Sequence, residues 1–192
     1  MPFQIRPFRK ADFDTLWRID QACFDPPLAY SRPEMAFYMR RPGAFSLVAE
    51  APPTREPGTP ISPKHLGSDP DHLSPNHRAP DPSDLSDPNA GPWGGILGFI
   101  VAEVGRQSGH IITIDVIAEA RRSGVGSALL QAAEERLRES GAMTVALETA
   151  VNNAAAIRFY KQQGYFVERT ALGYYSNNLD ALVMAKALMG DV

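Results

Sequence analysis

The stretch IDVIAEARRSGVGSALL, residues 114–130, decides the fold class of this 192-residue chain. β-Branched residues predominate at its start, a short turn with two arginines and two glycines follows, and apolar spacing typical of a helix comes directly after. Such a unit exposes consecutive backbone N–H groups at the positive end of a helix, which suits a phosphate or pyrophosphate. Gly124 and Gly126 let the backbone approach that anion, because a β-carbon would stand in the way. Arg121 and Arg122 can add positive charge at the rim.

Three interpretations of this turn compete. A dinucleotide-binding fingerprint requires a third small residue at position 129, where this chain has Leu129. An ATP-binding P-loop requires a lysine followed by serine or threonine, and no lysine of the chain is followed by either. An ordinary strand-turn-helix unit with capping glycines stays open on the residues alone.

Strand and helix patterns alternate along the rest of the chain. Strands are predicted at 3–8, 44–50, 95–104, 110–117, 143–148, 165–169 and 181–187. Helices are predicted at 12–24, 31–40, 124–140 and 153–163. Ser31 opens the second helix with a capping box and an early proline. The pattern predicts a single mixed α/β domain over residues 1–192.

The segment 51–92 differs in composition from the rest of the chain. It holds eleven of the seventeen prolines and no aromatic residue. Too little apolar surface is present to offset the entropy of ordering it, so a long, disordered and solvated loop between two strands is predicted. Its histidines His65, His72 and His77 have no cysteine partner and no regular helical spacing, so no metal site is predicted.

Composition excludes several classes of protein. The chain is 44% hydrophobic and has a net charge of -3, which fits a packed core and argues against a strongly basic nucleic-acid surface. No apolar stretch is long enough to span a bilayer, and the N-terminus lacks a secretory pattern. A single cysteine, Cys23, is predicted to be a core residue of the first helix. These features predict a cytoplasmic protein that binds neither nucleic acid nor membrane.

Two motifs resemble those of a known family. Residues 121–126, RRSGVG, match in every specified position the Gln/Arg-x-x-Gly-x-Gly/Ala motif of the GCN5-related N-acetyltransferase (GNAT) superfamily. Residues 147–166, LETAVNNAAAIRFYKQQGYF, are similar to the corresponding pattern of RimI-type ribosomal-protein alanine N-acetyltransferases. The resemblance implies the GNAT fold, a mixed and mostly antiparallel twisted sheet flanked by helices. It also implies acetyl-CoA as the acetyl donor.

The resemblance assigns roles to particular residues. Glu148 matches the general base and Tyr160 the general acid, while Tyr174 and Tyr175 fall where the family holds the acceptor peptide. The positions that match contacts to acetyl-CoA are Ile114, Asp115, Val116, Arg121, Arg122, Ser123, Gly124, Val125, Gly126, Ser127 and Asn153.

The chemistry of acetyl transfer makes the two catalytic assignments sensible. An ammonium cannot attack a thioester, so a carboxylate at the end of a strand, here Glu148, can take its proton. The departing thiolate benefits from a proton donor such as the Tyr160 phenol. Structural alternatives stay open: a solvated acid for Glu148, core packing for Tyr160 and a plain helix cap for Asn153. Asp115 has no evident chemical role, so its side chain is expected on the opposite face of the sheet.

The predicted function is acetylation of a protein or peptide N-terminal α-amino group, with a ribosomal protein among the candidate acceptors. Two alternatives remain: acetylation of a small amine, and a CoA-binding regulatory module without turnover. Tyr174 and Tyr175 are equally consistent with packing on an edge strand. The assembly expected is a monomer or a homodimer.

Overall fold

The computed structural model describes residues 2–26, 28–52 and 91–188. The predicted proline-rich loop therefore lies outside the described residues except at its two ends, and all three of its histidines lie outside them. The helices are α1 Phe13–Cys23, α2 Arg32–Met39, α3 Val125–Glu139 and α4 Ala154–Gln162. The strands are β1 Gln4–Pro7, β2 Ala44–Glu50, β3 Ile96–Val104, β4 Ser108–Val116, β5 Thr144–Ala150, β6 Phe166–Ala171 and β7 Ala181–Ala187. Short 3-10 turns, Lys10–Asp12 and Ala118–Ala120, precede α1 and follow β4.

The seven strands form one sheet in the order β1-β2-β3-β4-β5-β7-β6. β4 and β5 pair in parallel, and the other neighbouring pairs are antiparallel. This architecture confirms the predicted α/β class and the mixed, mostly antiparallel sheet. β4 and β5 are paired as far as Ile111 and Leu147, although both strands continue beyond these residues. Beyond Ile111, this edge of β4 has no partner strand among the described residues.

Local sequence signals explain where the helices begin. The Ser31 side chain accepts a hydrogen bond from the Glu34 N–H, and the Glu34 carboxylate accepts one from the Ser31 N–H, as the capping-box prediction requires. Helix α3 buries one apolar stripe, in which Leu129, Leu130 and Leu137 are fully buried. Burying each leucine contributes about 1.5–3 kcal/mol, so this stripe fixes α3 against the sheet.

A β-bulge reverses the direction of the side chains along β4. Thr113 pairs with Val101 and Ile111 with Ala102, so Ile112 has no partner on β3. Beyond the bulge the Val116 side chain lies beside the first turn of α3, where its Cγ2 is 3.7 Å from the position of a Cβ on Gly126. Alternation along the strand turns Asp115 to the other face, where it is buried. The expectation for Asp115 from the sequence agrees with this placement.

Within the described ranges, no helix is long and apolar enough to cross a membrane.

Candidate active site

A cavity of about 780 Å³ opens where β4 and β5 separate. Its walls come from β4, β5, the turn before α3, helix α4 and the connection between α1 and α2. Glu148 and Tyr160 both line it, as do Gly124, Gly126 and Asn153. Residues widely separated in sequence therefore meet at one cavity.

The turn before α3 presents unpaired N–H groups to this cavity. In the described part of the chain, no backbone N–H from 122 to 127 donates to a protein acceptor. Arg122 and Gly124 have positive φ angles of 60° and 92°, which turn the backbone so that α3 begins directly after them. Free donors at the N-terminus of a 15-residue helix attract an anion through hydrogen bonds and the helix dipole. The turn can therefore hold a phosphate or pyrophosphate.

Side chains of the turn are used mainly to hold its shape. Arg121 Nε donates to the Val116 carbonyl oxygen at 3.1 Å, so its guanidinium braces the turn against β4, and the residue also lines the cavity. Ser123 Oγ donates to the Ala120 carbonyl oxygen at 2.6 Å. Ser127 Oγ accepts from Gln163 Nε2 at 3.2 Å, which ties α3 to α4. The free N–H groups of the backbone therefore supply hydrogen bonds for an anion, and Arg122, which also lines the cavity, can add positive charge.

Gly124 and Gly126 serve different purposes. The φ of 92° at Gly124 strains any residue with a side chain, whereas a Cβ there would meet nothing within 4 Å. A Cβ on Gly126 would lie 3.5 Å from the Phe159 ring, an ordinary contact, on the surface of the cavity. Gly124 is required by conformation, and Gly126 leaves space for the anion.

Gly126→Val should weaken the binding of CoA about tenfold or more, because the branched side chain would occupy the space beside the free N–H groups and each lost charged hydrogen bond costs about 1.5–3 kcal/mol. Titration calorimetry with acetyl-CoA measures the change, and thermal unfolding checks that the fold is intact. Gly126→Ala is the matched control and should lose much less affinity. Equal affinity of the valine variant and the unaltered protein would contradict this site.

Glu148 lies two residues inside β5, not at the end of the strand as the sequence predicted. Its position is just past the last residue of β5 that pairs with β4. His110 Nε2 lies 2.7 Å from Glu148 Oε2, and the Tyr174 hydroxyl donates to the same oxygen at 3.4 Å. The hydrogen bond with His110 lowers the pKa of Glu148, against the opposing effect of burial. Glu148 is therefore an anion at neutral pH.

His110 is a site residue that the sequence analysis missed. It lies on β4, its side chain is 40% exposed, and it links Glu148 to solvent. In the sequence it stands as a lone histidine at the start of a β-branched run, which gives no chemical signal. Its proximity to Glu148 depends on the register between β4 and β5, in which His110 pairs with Ala146.

Tyr160 faces the cavity from α4. Its ring is buried and packs at a tilt against Phe159 and Tyr165, with centroids 5.2 and 5.8 Å away. Among the described residues, its hydroxyl has no hydrogen-bond partner. Burial is the main cause that raises the pKa of Tyr160 above 10, so the phenol keeps its proton at neutral pH. Tyr160 can therefore act as a proton donor and also contributes to packing.

Asn153 caps helix α4, as its structural interpretation predicted. Its Oδ1 accepts from the Ala156 N–H at 3.1 Å, and the residue also lines the cavity. Its amide nitrogen is not used in that cap, so capping leaves a donor for a ligand.

An aromatic wall closes the end of the cavity near Glu148. Tyr174 and Tyr175 lie in the connection between β6 and β7, so the alternative of packing on an edge strand is wrong. Their rings meet edge to face at 5.1 Å. Tyr30, from the connection between α1 and α2, lines the same cavity and packs on Tyr38 at 5.2 Å. The sequence analysis singled out neither Tyr30 nor Tyr38.

Cys23 packs against the core from α1 and also lines the cavity. Its Sγ lies 3.5 Å from the Val116 carbonyl oxygen, and burial raises the pKa of the thiol to about 11. A thiol with so high a pKa stays protonated and is a poor nucleophile.

Over the residues that the structure describes, no group of three or more acidic, histidine or cysteine side chains could hold a metal ion.

Comparisons with known proteins give a consistent family relationship. A sequence model of the Acetyltransferase (GNAT) family matches residues 63–165. An N-alpha-acetyltransferase of Sulfurisphaera tokodaii is 39% identical over 83 residues, which cover 43% of this chain and 50% of that protein. The chain thus spans about half the length of this curated relative.

Solved structures share the fold over nearly the whole chain. Arabidopsis thaliana NAA60 in complex with acetyl-CoA has a TM-score of 0.70 at 18% identity, covering 98% of this chain and 100% of that chain. The ribosomal-protein-S18-alanine N-acetyltransferase of Escherichia coli has a TM-score of 0.68 at 18% identity, covering 100% of this chain and 97% of that chain. At this level of identity the likeness establishes the fold, and the fold implied by the sequence motifs is confirmed.

Proposed function

Because the chain belongs to the Acetyltransferase (GNAT) family, we propose that it transfers the acetyl group of acetyl-CoA to the α-amino group of a protein or peptide. The observation that carries this proposal is one cavity with free N–H donors at one end and the ionised Glu148 at the other. The first feature suits an anionic acyl carrier, and the second suits a cationic amine.

Acetyl-CoA fits the cavity through two backbone features. The N–H groups of 122–127 would receive its pyrophosphate, and the unpartnered edge of β4 near Ile114 and Val116 would receive the extended pantetheine arm. Asn153 lies close enough in the cavity to contribute an amide donor. The bound group supplies a thioester carbon that an amine can attack.

Glu148 prepares the amine in this proposal. As an anion it attracts the ammonium form and, directly or through one water, accepts the proton that must leave before attack. Its lowered pKa makes it a weak base that passes the proton on readily. The contact with half-exposed His110 gives the proton a route to solvent.

Tyr160 assists the other half of the reaction. As the C–S bond breaks, the thiolate leaves with a negative charge that a phenol can protonate or hydrogen-bond. The Tyr160 phenol is protonated at neutral pH and its hydroxyl is not engaged elsewhere among the described residues. No covalent acyl-enzyme is required.

The acceptor is proposed to be an N-terminus for two reasons. The matched relative carries the name N-alpha-acetyltransferase. The entrance beside Glu148 is built from Tyr30, Tyr174 and Tyr175, whose rings and hydroxyls can hold a peptide backbone and its first side chain. A ribosomal protein stays one candidate among such acceptors.

An acetyl-transfer screen tests the proposed acceptor. We expect peptides with free N-termini to be acetylated with a kcat/KM at least about tenfold above that of polyamines, aminoglycosides or free amino acids, since the aromatic wall adds binding energy for a backbone. The same peptides with a blocked N-terminus are the matched control and should be inert. A preference for small amines, or CoA binding without any transfer, would overturn the proposal.

A further inference from the structure

Two buried carboxyl groups lie beside the cavity where α1 packs on β4, and Cys23, one turn after the first of them, has its Sγ 3.5 Å from the carbonyl oxygen of Val116, the residue after the second. Asp20 on α1 is 0% exposed and Asp115 on β4 is 1% exposed. In the described part of the chain, the buried side-chain oxygen or nitrogen atoms without a hydrogen-bond partner are Oδ1 of Asp20 and Oδ1 of Asp115. An orphaned buried oxygen costs about 1–3 kcal/mol, so two orphans in neighbouring acids call for a common explanation.

The other oxygen of each carboxyl group accepts hydrogen bonds, and the two sets of donors lie on different sides of the site. Asp20 Oδ2 accepts from the Tyr30 N–H at 2.9 Å and from Gln21 Nε2 at 3.0 Å. Asp115 Oδ2 accepts from Thr113 Oγ1 at 3.0 Å. Asp20 therefore holds the segment that carries Tyr30 on the acceptor side, and Asp115 belongs to the strand on the donor side.

We propose that Asp20 and Asp115 form a positioning pair that shares one proton at neutral pH, and that this proton fastens the Tyr30 segment to β4. A protonated carboxyl group is a donor, so one proton turns the orphaned oxygen of one acid into a donor and the other into its acceptor. The bond is direct or passes through one water. Both orphaned atoms are then satisfied.

Charges around the pair favour the protonated form. Burial raises the pKa of Asp20 from 3.8 to about 6, and burial together with the charge of Asp20 raises the pKa of Asp115 well above 3.8. Arg121 is the nearby cation and partly offsets this effect. The remaining titratable groups that face the pair are neutral at pH 7, namely the Cys23 thiol and the Tyr30 and Tyr160 phenols. A doubly ionised pair would be poorly compensated.

The pH dependence has a definite sign. Each acid is protonated in the folded protein over a range in which it is ionised in the unfolded chain, so folding takes up protons. The contribution of this pair to stability is therefore fully present below about pH 4 and is lost as the pH rises through the raised pKa values. For each proton that is released on unfolding, the unfolding equilibrium constant rises about tenfold with each unit of increasing pH.

Asp115→Asn tests the shared proton, because the amide is a permanent donor to Asp20 and does not titrate. Between pH 5 and 8, we expect the unfolding equilibrium constant to rise more slowly with pH in Asp115→Asn than in the unaltered protein. The difference between the two slopes should be up to about a factor of ten per pH unit. Asp20→Asn, the converse variant, should show the same flattening. The control Glu139→Gln, at an exposed acid on α3, should leave the dependence unchanged.

Amide hydrogen exchange tests the positioning role. The Tyr30 N–H, which donates to Asp20, should lose protection with rising pH in the unaltered protein and keep it in Asp115→Asn, after correction for intrinsic exchange. The proposal would be overturned if the unfolding constants of both asparagine variants and of the unaltered protein changed in parallel with pH. It would also be overturned if the protection of the Tyr30 N–H did not depend on pH. Neither measurement uses acetyl transfer, so failure here is distinguishable from failure of the proposed function.

Discussion

Replacing Glu148 by Gln is expected to lower kcat for acetyl transfer about 10²-fold or more. The amide has nearly the same shape as the carboxylate, so the contacts with His110 and Tyr174 lose their charge but not their geometry. A neutral group neither attracts an ammonium nor accepts its proton. Steady-state kinetics with a peptide acceptor measure the effect, and calorimetry should show acetyl-CoA binding within about twofold of the unaltered protein.

Glu168→Gln is the matched control for this change. Glu168 is an exposed acid on β6 that does not line the cavity, and its replacement should leave kcat unchanged. If Glu148→Gln turned over as fast as this control, Glu148 would have no part in proton transfer.

Tyr160→Phe should also lower kcat, by about 10²-fold where protonation of the thiolate limits the rate. The substitution removes a hydroxyl that has no partner among the described residues and keeps the ring that packs on Phe159 and Tyr165. The melting temperature should therefore change little. Single-turnover kinetics report the chemical step without interference from product release.

Tyr165→Phe provides the opposite behaviour as a control. The Tyr165 hydroxyl donates to Glu134 Oε1 at 3.0 Å in a buried site, so its removal should cost about 1–3 kcal/mol of the free energy of unfolding. Its kcat should be retained, because Tyr165 does not line the cavity. If the Tyr160→Phe variant lost stability but kept its kcat, Tyr160 would contribute to packing alone.

The sequence predicted more of the donor side of the site than of the acceptor side. The anion-binding turn is a contiguous segment, so Gly124, Gly126 and the following helix leave a local signal. His110 contacts Glu148, which lies 38 positions further along the chain, and the Tyr30 hydroxyl donates to the carbonyl oxygen of Ile112, which lies 82 positions further along. Such contacts depend on strand register and on where a connection folds back, and neither leaves a mark in a local pattern.

Asp115 illustrates the same limit within one strand. The sequence placed it beside the acyl arm and suggested that its side chain points away, but the strand pattern shows neither the bulge at Ile112 nor the second buried acid, Asp20, on α1. A buried acid reads as an ordinary polar residue until the element that covers it is known.

By itself, the sequence determined the order of strands and helices, the helix caps and the free N–H groups of the turn, because these follow from side-chain periodicity and backbone preferences of neighbouring residues. Tertiary structure alone decided that Glu148 meets His110 and Tyr174 and that Asp20 and Asp115 are both buried where α1 meets β4. Those meetings depend on the parting of β4 from β5 and on the packing of α1, which arise from burial of apolar surface across the whole chain.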